Sequence, residues 1–129
     1  MTKLRSDITR LGLSRTPHRA FMRATGLDDE AIAKPMIGVV SMKGEQTPCN
    51  MTHGFQVEAA KQGVAEAGGT PREFTTISMS DGIGMNHEGM KFSLVSRELI
   101  ADSIEAVVHG LAYDGLVGLA AATRPCRAS

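Results

Sequence analysis

Four side chains carry most of the reactive chemistry in this chain, and they fall in two short stretches. One is Thr47-Pro48-Cys49-Asn50, and the other is Thr76-Ile77-Ser78-Met79-Ser80-Asp81-Gly82-Ile83-Gly84-Met85-Asn86-His87-Glu88-Gly89-Met90. In the second, a β-prone run ends at Ser80 and Asp81 stands at the first turn. Gly82, Gly84 and Gly89 follow, with His87 and Glu88 between the last two. Glycine tolerates backbone shapes and close ligand approach that other residues resist, so such a loop can wrap around a bound group. A carboxylate at the carboxyl end of a strand sits where open α/β sheets bind ligands. Asp81, His87 and Glu88 are therefore candidates for acid–base work or for a hard cation such as Mg²⁺, which shares its shell with substrate. The plainer reading is a glycine-rich turn with solvated acids and a surface histidine. Pattern alone does not separate the two.

Cys49 follows a proline in a loop, and Asn50 is placed to cap the helix after it. A thiol near a helix N-terminus has a favoured thiolate, suited to metal binding or nucleophilic attack. Spacing alone favours a small buried hydrophobe, because the chain has no C-x-x-C and no clustered second cysteine. His18, His53 and His109 are isolated and receive no role. Glu98, Asp102 and Glu105 read as the solvent side of their helix.

The elements that must position these groups follow from periodicity. Residues 1–14 are polar and mixed, and read as an extended arm. Thr16-Pro17 marks a helix start, with Ala20, Phe21 and Ala24 at helical spacing and Gly26 as the stop. Asp28-Asp29-Glu30 opens another short turn. Met36-Ile37-Gly38-Val39-Val40-Ser41 is a short apolar run expected to form a buried strand. Phe55, Ala59, Val64 and Ala67 then mark a helix ended by Gly68-Gly69. Residues 71–78 form a second strand, residues 93–110 the most regular helix, and residues 116–120 a third strand. In the 93–110 helix, Leu94, Val95, Leu99, Ile100, Ile104, Val107 and Val108 recur near a 3.6 period. This alternation of strand and helix predicts an α/β fold with a mostly parallel sheet between helical layers. Nothing after the third strand closes that sheet.

Bulk properties narrow the class. The 129 residues make one domain or part of one, and 42% hydrophobic content fits a soluble globular class. Lys+Arg and Asp+Glu both number 14, so the formal charge is zero and no basic patch argues for nucleic acid. No apolar run approaches the roughly 20 residues of a membrane helix. Residues 1–10 lack the apolar stretch of a secretion signal. A cytoplasmic chain is expected, with neither membrane nor nucleic acid as partner. Cys49 and Cys126 then read as thiols or metal ligands rather than as a disulfide framework. Eight methionines, 4% aromatics and no tryptophan suit an adaptable core or a buried interface.

Taken together, Thr47-Pro48-Cys49-Asn50, Ala67-Gly68-Gly69, Ser80-Asp81-Gly82-Ile83, Glu88-Gly89-Met90 and Ser96-Arg97-Glu98-Leu99-Ile100-Ala101-Asp102-Ser103-Ile104-Glu105 resemble one family. It is the dihydroxy-acid dehydratase and phosphogluconate dehydratase family, matched in order and spacing over roughly residues 15–120. The Pro-Cys-Asn form and the Ser93-Leu94-Val95-Ser96-Arg97-Glu98 run look most like its dihydroxy-acid branch. The resemblance implies the N-terminal part of a three-layer αβα domain. It also implies a hydro-lyase that turns a small 2,3-dihydroxy acid into a 2-keto acid in valine, leucine and isoleucine synthesis. A [2Fe–2S] cluster and a Mg²⁺ serve as Lewis acids in such enzymes. Cys49 corresponds to a cluster ligand and Asp81 to a magnesium ligand, leaving His87 and Glu88 as weak catalytic candidates. A homodimer or larger assembly is implied for the full-length protein. A sugar-acid dehydratase of the same family and a non-catalytic interaction module are the alternatives.

The sequence departs from that family at residues 121–129. A Gly-Cys-Asp-Lys-Thr-Leu-Pro-Gly motif, carrying further cluster and magnesium ligands, is expected after Gly118-Leu119-Ala120. One coding of that motif plus valine is GGC TGC GAC AAG ACC CTG CCG GGC GTC. Loss of its first base gives GCT GCG ACA AGA CCC TGC CGG GCG TC, which reads Ala-Ala-Thr-Arg-Pro-Cys-Arg-Ala-Ser, the tail present here. Residues 121–129 are thus expected to be an out-of-frame tail in which Cys126 is accidental. A fragment with one ligand for each group is expected to retain neither cofactor and to be inactive alone.

Overall fold

The computed structural model describes residues 3–120. The tail assigned to 121–129, Cys126 included, lies outside the described residues. Short helices come first: α1 (Asp7–Arg10), α2 (Thr16–Ala24) and α3 (Asp29–Ala33). Then follow β1 (Met36–Ser41), α4 (His53–Glu66), β2 (Thr70–Thr75), α5 (Asp81–Gly84), α6 (Phe92–Gly110) and β3 (Gly115–Gly118). The strands form one all-parallel sheet in the order β2-β1-β3, so the α/β class is as the sequence indicates. Among the described residues, no helix is long and apolar enough to cross a membrane.

Among the described strands, β1 alone is apolar enough to be covered on both sides, and it is the central one. Met36, Val39 and Val40 are buried with Ile32, Val57 and Tyr113, and these six form the core. Gly38 sits in the middle of that strand. A Cβ there would stand 3.0 Å from Tyr113, and 3.2 Å from both Leu116 and Phe74. Three side chains from different elements converge over the bare backbone. Two of them are aromatic, with the Phe74 and Tyr113 ring centroids 6.3 Å apart and tilted by 41°. Asp28 caps α3 as its type suggests, its carboxylate accepting the Ala31 N–H at 2.8 Å.

Over its described residues, 3–14, the extended arm read from the sequence is corrected by the structure. α1 is a helical turn, a 3₁₀ turn follows at Leu13–Arg15, and the segment is docked by polar groups. The Asp114 carboxylate accepts the Ser6 N–H at 2.9 Å and the Ser6 hydroxyl at 2.6 Å. It also accepts the Met36 N–H, at 2.8 Å. Buried Arg10 donates to the carbonyls of Ile32 at 2.9 Å and Lys34 at 2.6 Å, and pairs with Asp7 at 2.8 Å. Hydrogen bonds, not an apolar stripe, hold this segment down.

The strand ends also differ from expectation. The second strand stops at Thr75 rather than continuing to 78, and the third covers Gly115–Gly118 rather than 116–120. In α4 the inward residues are His53 and Val57, whereas Phe55 points outward.

Burial pushes the Asp114 carboxyl up, but the Ser6 and Met36 donors outweigh it and hold the group below its ordinary range. A carboxylate depressed in the folded state contributes stability above its unfolded pKa, and loses it as pH falls through the lower folded value. Asp114→Ala should therefore cost about 3 kcal/mol at neutral pH, the combined effect of three charge-assisted bonds. The deficit should shrink as pH falls below the ordinary carboxylate range and the wild-type carboxyl protonates too. Urea unfolding at neutral and at acid pH measures it; an unchanged midpoint at neutral pH would refute the clamp.

Candidate functional site

Parallel strands deliver their C-terminal loops to one edge of a sheet. The order β2-β1-β3 also means the chain leaves β1 to one side and then returns past it to the other. That reversal makes the carboxyl edge beside β1 the ligand-binding crevice of such sheets. The loop after β1 carries Cys49, and the loop after β2 carries Asp81.

Cys49 lies in a 3₁₀ turn, Pro48–Asn50, and is half-buried. Backbone angles stay right-handed through Met51 and Thr52 into α4, so Pro48 to Glu66 is a nearly continuous helical run. Asn50 is not the helix cap that its type suggests. Its buried side-chain amide donates to the Ser78 hydroxyl at 2.7 Å, tying the Cys49 turn to the segment that leads into Asp81. The first residue of α5 is Asp81 itself. Its Oδ1 accepts a hydrogen bond from the Ser93 hydroxyl at the start of α6. Ser93 and Ser96 are the buried residues of that helix. One carboxylate oxygen is thus fixed by α6, while the other makes no hydrogen bond among the described residues.

His87 and Glu88 are placed differently. The His87 Nε2–H donates to the Ile83 carbonyl at 2.7 Å, and Nδ1 accepts the Gly89 N–H at 3.0 Å. Both ring nitrogens are spent on the turn itself, whose left-handed residue is Asn86 at φ 68°. Glu88 pairs with Lys91 in solvent. The structure joins neither residue to Asp81 by a hydrogen bond: His87 is bonded within its own turn, and Glu88 pairs with Lys91. Among the described residues, no group of three or more His, Cys, Asp or Glu side chains converges on a point.

Sequence reasoning passed over His53, which is 1% exposed and lies one helical turn beyond Cys49. Residues four apart on a helix share a face, so the imidazole and the thiol belong to the same side of this run. Both His53 ring nitrogens, and the Thr47 hydroxyl before the turn, are buried without a hydrogen-bond partner among the described residues. Unpartnered buried polar atoms are destabilising. The spacing of Thr47, Cys49 and His53 was the available signal, but a single histidine carries none of the repetition that marks a ligand set.

The link between the two loops is directly testable. Asn50→Ala should lower stability by about 1 kcal/mol. It should also speed amide exchange across residues 76–84, where Thr76 N–H bonds to Ser41 and Gly84 N–H to Ser80. Exchange that is unchanged there, read by mass spectrometry, would mean the loops are independent.

Residues 34–123 match the family model for the N-terminal region of dihydroxy-acid/6-phosphogluconate dehydratases. Dihydroxy-acid dehydratase 3 of Bradyrhizobium diazoefficiens is 81% identical over 118 residues, which are 92% of this chain and 20% of that protein. Dihydroxy-acid dehydratase 2 of Bordetella bronchiseptica is 59% identical over 118 residues, 92% of this chain and 21% of its own length. The dihydroxy-acid dehydratase of Pyrococcus abyssi is 52% identical over 117 residues, 91% and 21% of the two chains. The chain thus spans about a fifth of the curated relatives it matches, and across that span it belongs to the dihydroxy-acid/6-phosphogluconate dehydratase family.

Proposed function

We propose that this chain is the amino-terminal portion of a dihydroxy-acid dehydratase. Such an enzyme removes water from a 2,3-dihydroxy acid to leave a 2-keto acid, a step of branched-chain amino-acid synthesis. The observation that carries the reading is the placement of a thiol loop and a carboxylate loop at one edge of a parallel sheet, joined by Asn50 and Ser78.

The donors fit the implied groups in kind. A thiolate suits an iron–sulfur cluster and a carboxylate suits Mg²⁺. When bound, the cluster and the magnesium would supply Lewis acidity that lowers the cost of expelling a hydroxyl group. Cys49 would hold the cluster from a turn braced by the buried Asn50. Asp81 would hold magnesium with its second oxygen, since Ser93 fixes the first and sets the plane of the carboxylate. Such bracing keeps a ligand oriented in the way that hydrogen-bonded supports of metal ligands do. His87 braces the turn after Asp81, and neither it nor Glu88 takes a proton in this scheme. One thiol and one carboxylate are too few to hold either group, so the 129-residue chain alone is read as inactive.

Sugar acids are the second substrate class, because the family description joins dihydroxy-acid to 6-phosphogluconate dehydratases. The test is a chimaera in which residues 1–120 replace the matching stretch of the Bradyrhizobium relative. Keto-acid formation from a branched 2,3-dihydroxy acid is expected, with little from 6-phosphogluconate. Cys49→Ser or Asp81→Asn should lower kcat/KM more than about 100-fold, beyond what loss of a mere supporting group does. A folded chimaera that turns over neither acid would sink the reading, and preference for 6-phosphogluconate would move it to the sugar-acid branch.

A further inference from the structure

Among the described residues, the largest fully buried side chain is the His53 imidazole, and neither of its ring nitrogens has a hydrogen-bond partner there. Its place follows from how α4 lies on the sheet. At the far end of the helix, Val64 stands beside the start of β1. A Cβ on Gly69 would be 3.2 Å from Val64 Cγ1 and 3.1 Å from Ile37 Cγ1. Nearly one turn earlier, Lys61 Nζ donates to the Glu73 carboxylate at 3.1 Å, so α4 runs antiparallel to β1 and β2. His53 lies eight residues before Lys61, about 12 Å along the helix axis. From Glu73 the end of β2 is only about 7 Å away. His53 therefore stands at the carboxyl edge of the sheet, where the Cys49 turn runs into α4. The Thr47 hydroxyl, two residues before Cys49, is buried and unpartnered as well. Buried polar groups without partners are destabilising, and two of them flanking one thiol call for a common explanation.

Resting on the proposed reading as a dehydratase, we propose that the His53 imidazole is a hydrogen-bond donor to the sulfur of Cys49 when that sulfur holds the iron–sulfur cluster. The chemistry of sulfur accounts for an imidazole that is unsatisfied in the structure. A neutral thiol is a weak acceptor. The form that ligates iron is the thiolate, and hydrogen bonds to a charged group are shorter and about twice as strong. The i, i+4 relation puts ring and thiol on one side of the helical run, and burial keeps water from competing for the N–H. A donor to a ligating sulfur withdraws negative charge, which favours the reduced cluster, and it also holds the ligand in place. This role is separate from that of Asn50, whose bond to Ser78 ties the turn to the next loop. Asn50 places the sulfur, and His53 tunes its charge.

The experiment compares His53→Leu, which removes both nitrogens with little change in volume, with His53→Gln, which keeps a donor. In the 129-residue chain the Leu variant should melt no lower than the Gln variant, because no hydrogen bond is lost there. A lower midpoint for Leu than for Gln would give the imidazole a partner within this region and overturn the proposal. The second readout uses the chimaera with the Bradyrhizobium relative, its cluster assembled without oxygen. There His53→Leu should move the cluster's reduction potential to a more negative value. It should also speed loss of the cluster to EDTA, followed by visible absorption, at least about tenfold. His53→Gln should keep both close to those of the parent. A Leu variant with the parent's potential and loss rate overturns the donor role and leaves the dehydratase reading standing, as does a Gln variant displaced as far as Leu. A parent chimaera that folds yet takes up no cluster removes that reading, and the role of His53 with it.

Discussion

The Asp114 carboxylate fixes the relation of three distant parts of the chain. It accepts hydrogen bonds from residue 6, which is 108 positions away, and from residue 36, which is 78 positions away. Asp114 N–H in turn donates to the Met36 carbonyl at 2.8 Å. This exchange sets the first rung between β1 and β3, from which the pairing of Ile37 with Gly115 follows. Bonds to an ionised group are stronger than neutral ones, and here they close very long loops. Without them β3 has four residues, two of them glycine, and little side-chain reason to pair.

Once β1 is pinned between β2 and β3, the site follows with few further demands. β1 is buried nearly throughout, so the Cys49 loop starts from a fixed end. β2 pairs with it rung for rung up to Ser41 and Thr75, so the path towards Asp81 starts level with the path towards Cys49. Beyond that point the ladder has run out, and side chains take over. Asn50 to Ser78 and Ser93 to Asp81 are the bonds that hold the loops. Regular structure sets the site's location, and two polar contacts set its orientation.

These mechanisms differ in how far they show in the sequence. β1 was legible to the residue, because an apolar run between a proline and a polar loop has little else to become. The ends of the other strands were not, because a strand lasts only as long as its partner. Ile77 and Ser78 are suited to a strand, but β1 stops opposite Thr75, and the last bond is Thr76 N–H to the Ser41 carbonyl. β3 stops opposite Val40, one residue before β1 itself ends. The docked N-terminal segment was hidden because its anchors, Ser6 and Arg10, are polar and bond to partners far along the chain. Cys49 and Asp81 were legible by type and by their place after strands. The roles of Asn50, Ser93 and His53 were not, since each depends on a neighbour that only the fold supplies.

The same distinction explains α6. Its sequence carries more apolar residues than one buried stripe needs, and periodicity alone reads the surplus as core. In the structure the inward face begins with two serines, while Phe92, Val95 and Leu99 face out. Small inward residues let a helix approach closely, and Ser93 uses that approach to reach Asp81. A wholly apolar inner face would bury more surface but would leave the carboxylate without its donor. The helix thus gives up packing at its first turn to orient the Asp81 carboxylate, and such polar intrusions are expected where function constrains a fold. The outward stripe is the complement of that choice: the burial missing on the inner side has its counterpart on an exposed apolar flank.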